Sequence, residues 1–210
     1  MNIEILTREQ AKVSYAQLVE LMHESFQERI DAGLNYSCSS MDEIKYKEKT
    51  KDGIIFVAID KDKGTLAGST TLNLHCDNNE VYGYMEFVSI HSTYKHCGIG
   101  SKLVNQIKRC GVEKGCRYIL SDTSINALSA VNFHLKNGFK IIGLESYRST
   151  NYWSYVFRMQ LSPSIIWNNQ MFLKVHYWLS YLFIKVTRDI NGNDTKYGII
   201  YKKLIRLCRN

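Results

Sequence analysis

With 210 residues, 45% of them hydrophobic and 22% charged, the chain is long enough for one packed domain plus an extension, and its composition excludes bulk disorder. The net charge of +7 is uneven: residues 162–210 hold eight basic and two acidic residues, a balance of +6, which leaves +1 for residues 1–161. Such a segment favours phosphorylated, anionic-lipid or acidic-protein partners, with a plain solvated basic face an equal alternative; its basic residues are not interleaved with a recognition motif, so nucleic acid is not an expected partner.

Ile3 and Ile5 alternate with polar neighbours, which predicts a short strand. Thr7-Arg8-Glu9-Gln10 reads as a capping box opening a helix with Val13, Leu18, Leu21 and Met22 on its apolar side, ending before Gly33. Ser40 to Lys51 is a second, charged helical stretch with Met41, Ile44 and Tyr46 as a thin apolar side. Ile54 to Ile59 and Leu66 to Leu74 flank a turn at Asp60 to Gly64 and predict a hairpin, followed by a third strand from Val81 to Ile90. Beyond Lys95 to Ser101 comes a helix with Leu103, Val104, Ile107 and Val112 on one face and Gly115 as its cap. Tyr118 to Leu120 is a strand, and Ala127 to Asn137 a short helix with Leu128, Val131 and Leu135 at helical spacing and Gly138 at its end. Phe139 to Tyr147 and Tyr152 to Leu161 close the domain as two strands, and Pro163, the single proline, marks its boundary. Residues 1–161 are therefore expected to form one domain and residues 162–210 a basic, aromatic-rich extension. Within the latter, Ile165 to Val186 predicts a helix rich in Trp167, Phe172, Trp178, Leu179, Leu182 and Phe183, then a turn at Asn191 to Asp194 and a basic ending from Tyr197 to Leu207.

The six cysteines form no C-x-x-C pair and match no common zinc spacing, so they are read as reduced thiols of a cytoplasmic protein; His75, His91 and His96 are too scattered for a metal site. The first residues lack the basic-then-apolar pattern of a secretion signal. The nearest approach to a membrane span, Met171 to Val186, is interrupted by Lys174, His176 and Lys185.

The informative segment is the strand, glycine loop and helix from Val81 to Cys110. Gly98 and Gly100 stand at the handover, where the lack of side chains lets backbone N–H groups approach an anion and the helix N-terminus adds partial positive charge. That arrangement suits a pyrophosphate; it matches neither the P-loop nor the three-glycine dinucleotide fingerprint.

Phe87-Val88-Ser89-Ile90 followed by Lys95-His96-Cys97-Gly98-Ile99-Gly100-Ser101 resembles the acetyl-CoA loop of the GNAT family of N-acetyltransferases, with Lys95 where Gln or Arg is usual in Q/R-x-x-G-x-G/A. The helix from Asn126 that ends in Gly138-Phe139 resembles the second signature of that family, and the resemblance spans about residues 3–161. It implies an α/β fold with a mixed, mostly antiparallel, twisted sheet flanked by helices and a cleft for acetyl-CoA where two neighbouring strands splay. It further implies that Lys95, His96, Cys97, Gly98, Ile99, Gly100 and Ser101 hold the CoA pyrophosphate and that Val88, Ser89 and Ile90 pair with the pantetheine arm. The Val88 N–H would polarise the thioester carbonyl, and Asn126 would contact the CoA arm. Cys97 is read as an incidental member of the loop.

An attacking amine must be neutral, and at pH 7 a lysine-like amine is almost wholly protonated, so a base is needed. The resemblance points to Glu86, expected to share a face with Val88 and Ile90 by the period-two rule; a solvent-facing carboxylate is the plainer alternative. A proton donor for the leaving thiolate is implied at His134, where the family usually has Tyr; packing beside Ala130 and Val131 is its alternative. Tyr147, Tyr152 and Tyr155 are substitute donors, though the Tyr-rich stretch from Tyr147 to Tyr155 is read rather as lining an acceptor pocket or packing in strands. The expected function is transfer of an acetyl group from acetyl-CoA to a primary amine of a small molecule, such as an amino sugar. An acyl-carrier-protein-dependent acyltransferase and a non-catalytic CoA-binding or partner-tethering domain stay open. For the extension, packing on the domain or a homodimer contact is preferred to a membrane surface, because its apolar residues nearly encircle the predicted helix.

Overall fold

The computed structural model describes residues 1–77, 79–147, 150–163, 167, 169–190 and 192–200. The chain divides into two compact units. The first comprises Met1–Ala32, Cys38–Ser121 and Met159–Pro163; the second comprises Gly33–Ser37, Asp122–Arg158 and Ser164–Asn210.

In the first unit β1 (Ile3–Thr7), β2 (Gly53–Asp60), β3 (Thr65–Asp77) and β4 (Glu80–Ile90) form a consecutive antiparallel run, and Ile119 and Leu120 at the start of β5 (Tyr118–Ser124) join β4 in parallel. The run of Ile55, Phe56, Val57 and Ala58 that the sequence marks as a buried strand is the buried centre of β2. The predicted first helix is two helices. Thr7 caps α1 (Arg8–Ala11) through the expected box, but Lys12 turns left-handed at φ 54°, and a second box between Ser14 and Gln17 opens α2 (Tyr15–Asp31). Ser14-Tyr15-Ala16-Gln17 repeats the S/T-x-x-E/Q signature seven residues later, and each box satisfies its own set of orphan N–H groups. Leu18, Leu21 and Met22 are buried on α2 as expected.

Helix α3 (Glu43–Thr50) is capped by Asp42 and buries Tyr46 and Thr50, whereas Ile44, expected on its inner side, is 79% exposed. Helix α4 (Ile99–Glu113) buries Leu103, Val104 and Ile107 but leaves Val112 outside. Its inner face continues instead through Cys110 and Gly111, because a Cβ at Gly111 would stand 2.9 Å from Leu161 Cδ1 and 3.2 Å from Ile119 Cδ1. Gly115 ends the segment at φ 73°.

In the second unit β6 (Lys140–Ser146) pairs antiparallel with β7 (Trp153–Gln160), with a register shift at Ile141/Gly143. Helix α5 (Leu128–Lys136) turns Ala130, Val131 and His134 inward; Leu128 and Leu135, expected on the apolar side, lie outside. The inner face follows the aromatic residues it meets: the His134 ring stacks on Phe157 at 4.5 Å and meets Phe139 edge-on at 5.3 Å. Helix α6 (Gln170–Thr187) packs on β6. The expected helix start at Ile165, Asn191 of the expected turn and the basic ending beyond residue 200 fall outside the described residues; the rest of that turn is present, with Gly192 at φ 75° and Asp194 bridged to Arg188, and residues 196–200 are helical.

Candidate active site

The site is built on an interruption of β4. Ser69 lies opposite Ser89 and Thr71 opposite Glu86, so Thr70 alone faces both Phe87 and Val88. The extra residue makes a β-bulge, and Phe87 adopts φ 53°, a strained value for an aromatic residue. Two side-chain bonds hold it: Thr70 Oγ1 donates to Glu86 O at 3.1 Å and Ser89 Oγ to Phe87 O at 3.1 Å.

The bulge coincides with the end of the β4–β5 ladder. Its rungs are Gly83 with Ile119 and Tyr84 with Leu120, and Ser121 Oγ donates to Met85 O at 3.0 Å. From Glu86 to Ile90 no further β5 rung follows among the described residues. The His91 N–H reaches back to Ala67 O on β3 at 3.1 Å, and the Ile90 N–H points the other way, to Ser25 Oγ on α2 at 3.2 Å. By the same alternation the Val88 N–H turns to the open edge of β4, where an extended ligand can add as a strand and an N–H can polarise a carbonyl.

Gly98 at φ 76° precedes α4, and no side chain caps that helix. Its first internal bond runs from the Lys102 N–H to Gly98 O at 3.1 Å, so the N–H groups of Ile99, Gly100 and Ser101 have no partner within the helix. His96, at φ 65°, adds a second left-handed turn before them. Converging N–H groups at the start of a 15-residue helix are a fit for the pyrophosphate of a CoA thioester. His96, Cys97 and Gly98 are exposed, and Ile99 is buried as the helix's anchor.

Lys95 is engaged elsewhere: its Nζ donates to Glu28 Oε2 on α2 at 2.8 Å. One turn away, Glu24 Oε1 accepts the Ser92 N–H at 2.9 Å, and Glu24 lies 3.8 Å from the His91 imidazole. The Ser92 bonds hold the Glu24 carboxyl below its ordinary range, and Lys95 does the same for Glu28. Tyr94, in the 3₁₀ turn Ser92–Tyr94, donates from its hydroxyl to the buried Asp60 carboxylate at 2.9 Å. The loop is thus tied to α2 and β2 before it reaches the glycines. Sequence reasoning missed Glu24, Glu28 and Tyr94; the one local signal was the i, i+4 spacing of the two glutamates, which places them on one face of α2.

The expected placement of Glu86 is corrected. Residues opposite each other in the ladder share a face, so Glu86 and Ser89 lie with Thr71 and Ser69, whereas Ile90 lies with Gly68 on the other face. The bulge between them breaks the period of two. A Cβ at Gly68 would stand 2.8 Å from Ile90 Cδ1 and 3.2 Å from Ile99 Cγ2, so α4 covers the Ile90 face. On its own face Glu86 accepts a hydrogen bond from Asn73 Nδ2.

The Tyr46 ring is fully buried 5.2 Å from that of Phe87, and its hydroxyl lies beside that of Thr71 without either meeting hydrogen-bond geometry. Burial pushes the Tyr46 phenol up to about 12; the Thr71 hydroxyl opposes that shift, while Tyr15 and the Glu86 carboxylate add to it. A carboxylate held by an amide beside two buried hydroxyls, with Ser69 and Ser89 on the same face, makes this face of the sheet polar.

Asn126 and His134 belong to the second unit. Asn126 is exposed, and its N–H is bound by Ser124 Oγ at 3.1 Å. His134 is buried with its Nδ1 2.7 Å from Ala130 O. A carbonyl oxygen only accepts, so Nδ1 carries the hydrogen and proton exchange falls to Nε2.

No curated protein sequence matches the chain. A sequence model of the acetyltransferase (GNAT) family matches residues 15–139, more than half of it. Among solved structures, the chain of the NatC complex bound to Gag peptide and CoA superimposes with a TM-score of 0.61 at 19% identity, covering 77% of this chain and 100% of that one. The structure of yncA from Salmonella typhimurium with its cofactor acetyl-CoA gives 0.61 at 14% identity, covering 78% and 96%. A GNAT acetyltransferase from Staphylococcus aureus Mu50 gives 0.56 at 17% identity, covering 77% and 100%. The bulged β4, the uncapped α4 N-terminus and the family match agree, and the chain belongs to the GNAT family of acetyltransferases, which use acetyl-CoA as co-substrate.

Proposed function

We propose that this acetyltransferase passes the acetyl group of acetyl-CoA directly to the primary amine of a small molecule, an amino sugar being the first candidate. Residues 1–161 act as the transferase domain and residues 162–210 as an extension. The observation that carries the reading is the Glu86 carboxylate, held by Asn73 on the strand whose bulge turns the Val88 N–H to the open edge.

Main-chain N–H groups from His96 to Ser101 hold the pyrophosphate, with Lys95 anchoring the loop to α2. The edge from Val88 through Ser89 to Ile90 receives the pantetheine arm, and Asn126 contacts it further along. The neutral amine attacks the thioester carbonyl, whose oxygen gathers negative charge against the Val88 N–H. Glu86 takes the proton that the amine sheds as the C–N bond forms. The C–S bond then breaks, and His134 Nε2 supplies a proton to the leaving thiolate.

The test is thiol release from acetyl-CoA across amino sugars, nucleotide-linked amino sugars, polyamines, amino acids and peptides; the NatC neighbour bound to a peptide puts the last class in the panel. On the best acceptor, Glu86→Gln should lower kcat by about 10²-fold or more with acetyl-CoA binding retained. His134→Phe should remove one limb of the pH–rate profile. Full activity in Glu86→Gln would defeat the assignment of the base. If acetyl-CoA binds and no free amine reacts, the small-molecule acceptor is wrong, and an acidic carrier protein becomes the acyl source to examine.

A further inference from the structure

Helix α6 has two distinct faces. The inner one is fixed to β6: Leu173, Ile184 and Thr187 are buried, and His176 Nδ1 bonds to Ile142 O. Ser180 Oγ accepts the Leu144 N–H at 3.0 Å, and Gly143 permits that approach, since a Cβ there would stand 2.9 Å from the same oxygen. The outer one is apolar and open. Met171, Val175, Trp178, Leu179, Leu182 and Val186 are exposed by between 49% and 75%. At 100° per residue they fall within an arc of roughly 100°, opposite the inner face, over a helix about 27 Å long.

Lys174 and Lys185 are both exposed and lie along one flank of that arc, beside Trp178. The helix has no acidic residue. The two acidic residues that follow are engaged: Asp194 pairs with Arg188 at 3.4 Å, and Asp189 accepts from Asn193. The whole segment from 162 carries +6.

We propose that this outer face binds the surface of an anionic phospholipid bilayer, with α6 lying in the plane of the interface. An apolar arc of this size left in water is unfavourable, and a stripe flanked by lysines matches the acyl–headgroup boundary, where lysine stems reach outward to the phosphates. Charge selects this occupant over a second copy of the chain, since two copies meeting on this face would bring together two lysine-flanked helices that carry no acidic residue, whereas an anionic leaflet attracts each of them. The residues nearly encircle the helix in sequence; the packing of one half against β6 leaves a one-sided face. No helix among the described residues is long and apolar enough to cross a membrane, so the attachment is to the surface.

The test uses the full chain with phosphatidylcholine vesicles, with and without about 30% phosphatidylglycerol, read by co-sedimentation. Binding should be at least about tenfold stronger with the anionic lipid and should fall in high salt. Leu182→Glu or Val175→Glu should reduce it at least about tenfold, since each places a charge in the apolar boundary. Replacing Lys174 and Lys185 together by Ala should weaken the preference for anionic lipid several-fold. Retained acetyl-CoA binding in each variant keeps misfolding from mimicking the result, because all four positions are exposed. The proposal is overturned by equal binding to both vesicle types, by binding indifferent to Leu182→Glu, or by no binding at all. Sedimentation equilibrium that shows a dimer split by Leu182→Glu, without vesicle binding, would assign the face to self-association instead.

Discussion

Tyr46 carries a hydroxyl that the fold buries beside Thr71 without hydrogen-bond geometry, and a buried polar group left so costs about 1–3 kcal/mol. Tyr46→Phe should therefore raise the free energy of unfolding by about 1 kcal/mol in denaturant titration, since the ring contact with Phe87 survives and only the orphan is lost. Unchanged or lower stability would mean that the hydroxyl has a partner in solution. Glu86 shows the limit of residue-level reading. Its identity and its strand were legible, but its face was not, because a bulge leaves no mark in hydrophobic alternation. His134 is similar: packing beside Ala130 and Val131 was one of two alternatives for it, and only the fold shows Phe157 and Phe139 against its ring.

At the scale of elements, the loop from His91 to Lys95 is held by α2 through Glu24 and Glu28. Both carboxyls are held below their ordinary value of 4.5, so the folded arrangement prefers them ionised. The tie is therefore present above pH 4.5 and is lost as pH falls through the lowered values. Glu24→Ala should weaken acetyl-CoA binding about threefold at pH 7, a modest effect because the pair is solvent-exposed. Titration calorimetry from pH 7 down to about pH 3 should show the parent protein converging on the variant only below pH 4.5; a constant ratio down to that limit would show that the tie does not support the loop. The end at Gly115 was legible because caps are local, whereas the second helix, expected from Ser40, starts at Glu43 behind an Asp42 cap. The expected single helix after Thr7 is divided into α1 and α2 because Ser14 and Gln17 form a second capping box.

At the scale of the whole chain, the charge of +7 vanishes near the sequence pI of about 9.0. With charge repulsion removed, the outer face of α6 should drive association. Turbidity on dialysis from pH 7 to pH 9 should be stronger in the parent than in Leu182→Glu at matched net charge, and equal turbidity would show that the face does not control solubility. The sequence by itself determined the family, the strand order through residue 161, the glycine loop and the concentration of charge after residue 162, because these rest on local periodicity and a motif contiguous in the chain. Tertiary structure decided which side of each element faces inward: Gly111 rather than Val112, Ala130 and His134 rather than Leu128 and Leu135, the Thr71 face for Glu86, and one face of α6 rather than its whole circumference. Those choices depend on what each surface meets across space, and residues distant in the chain supply that partner.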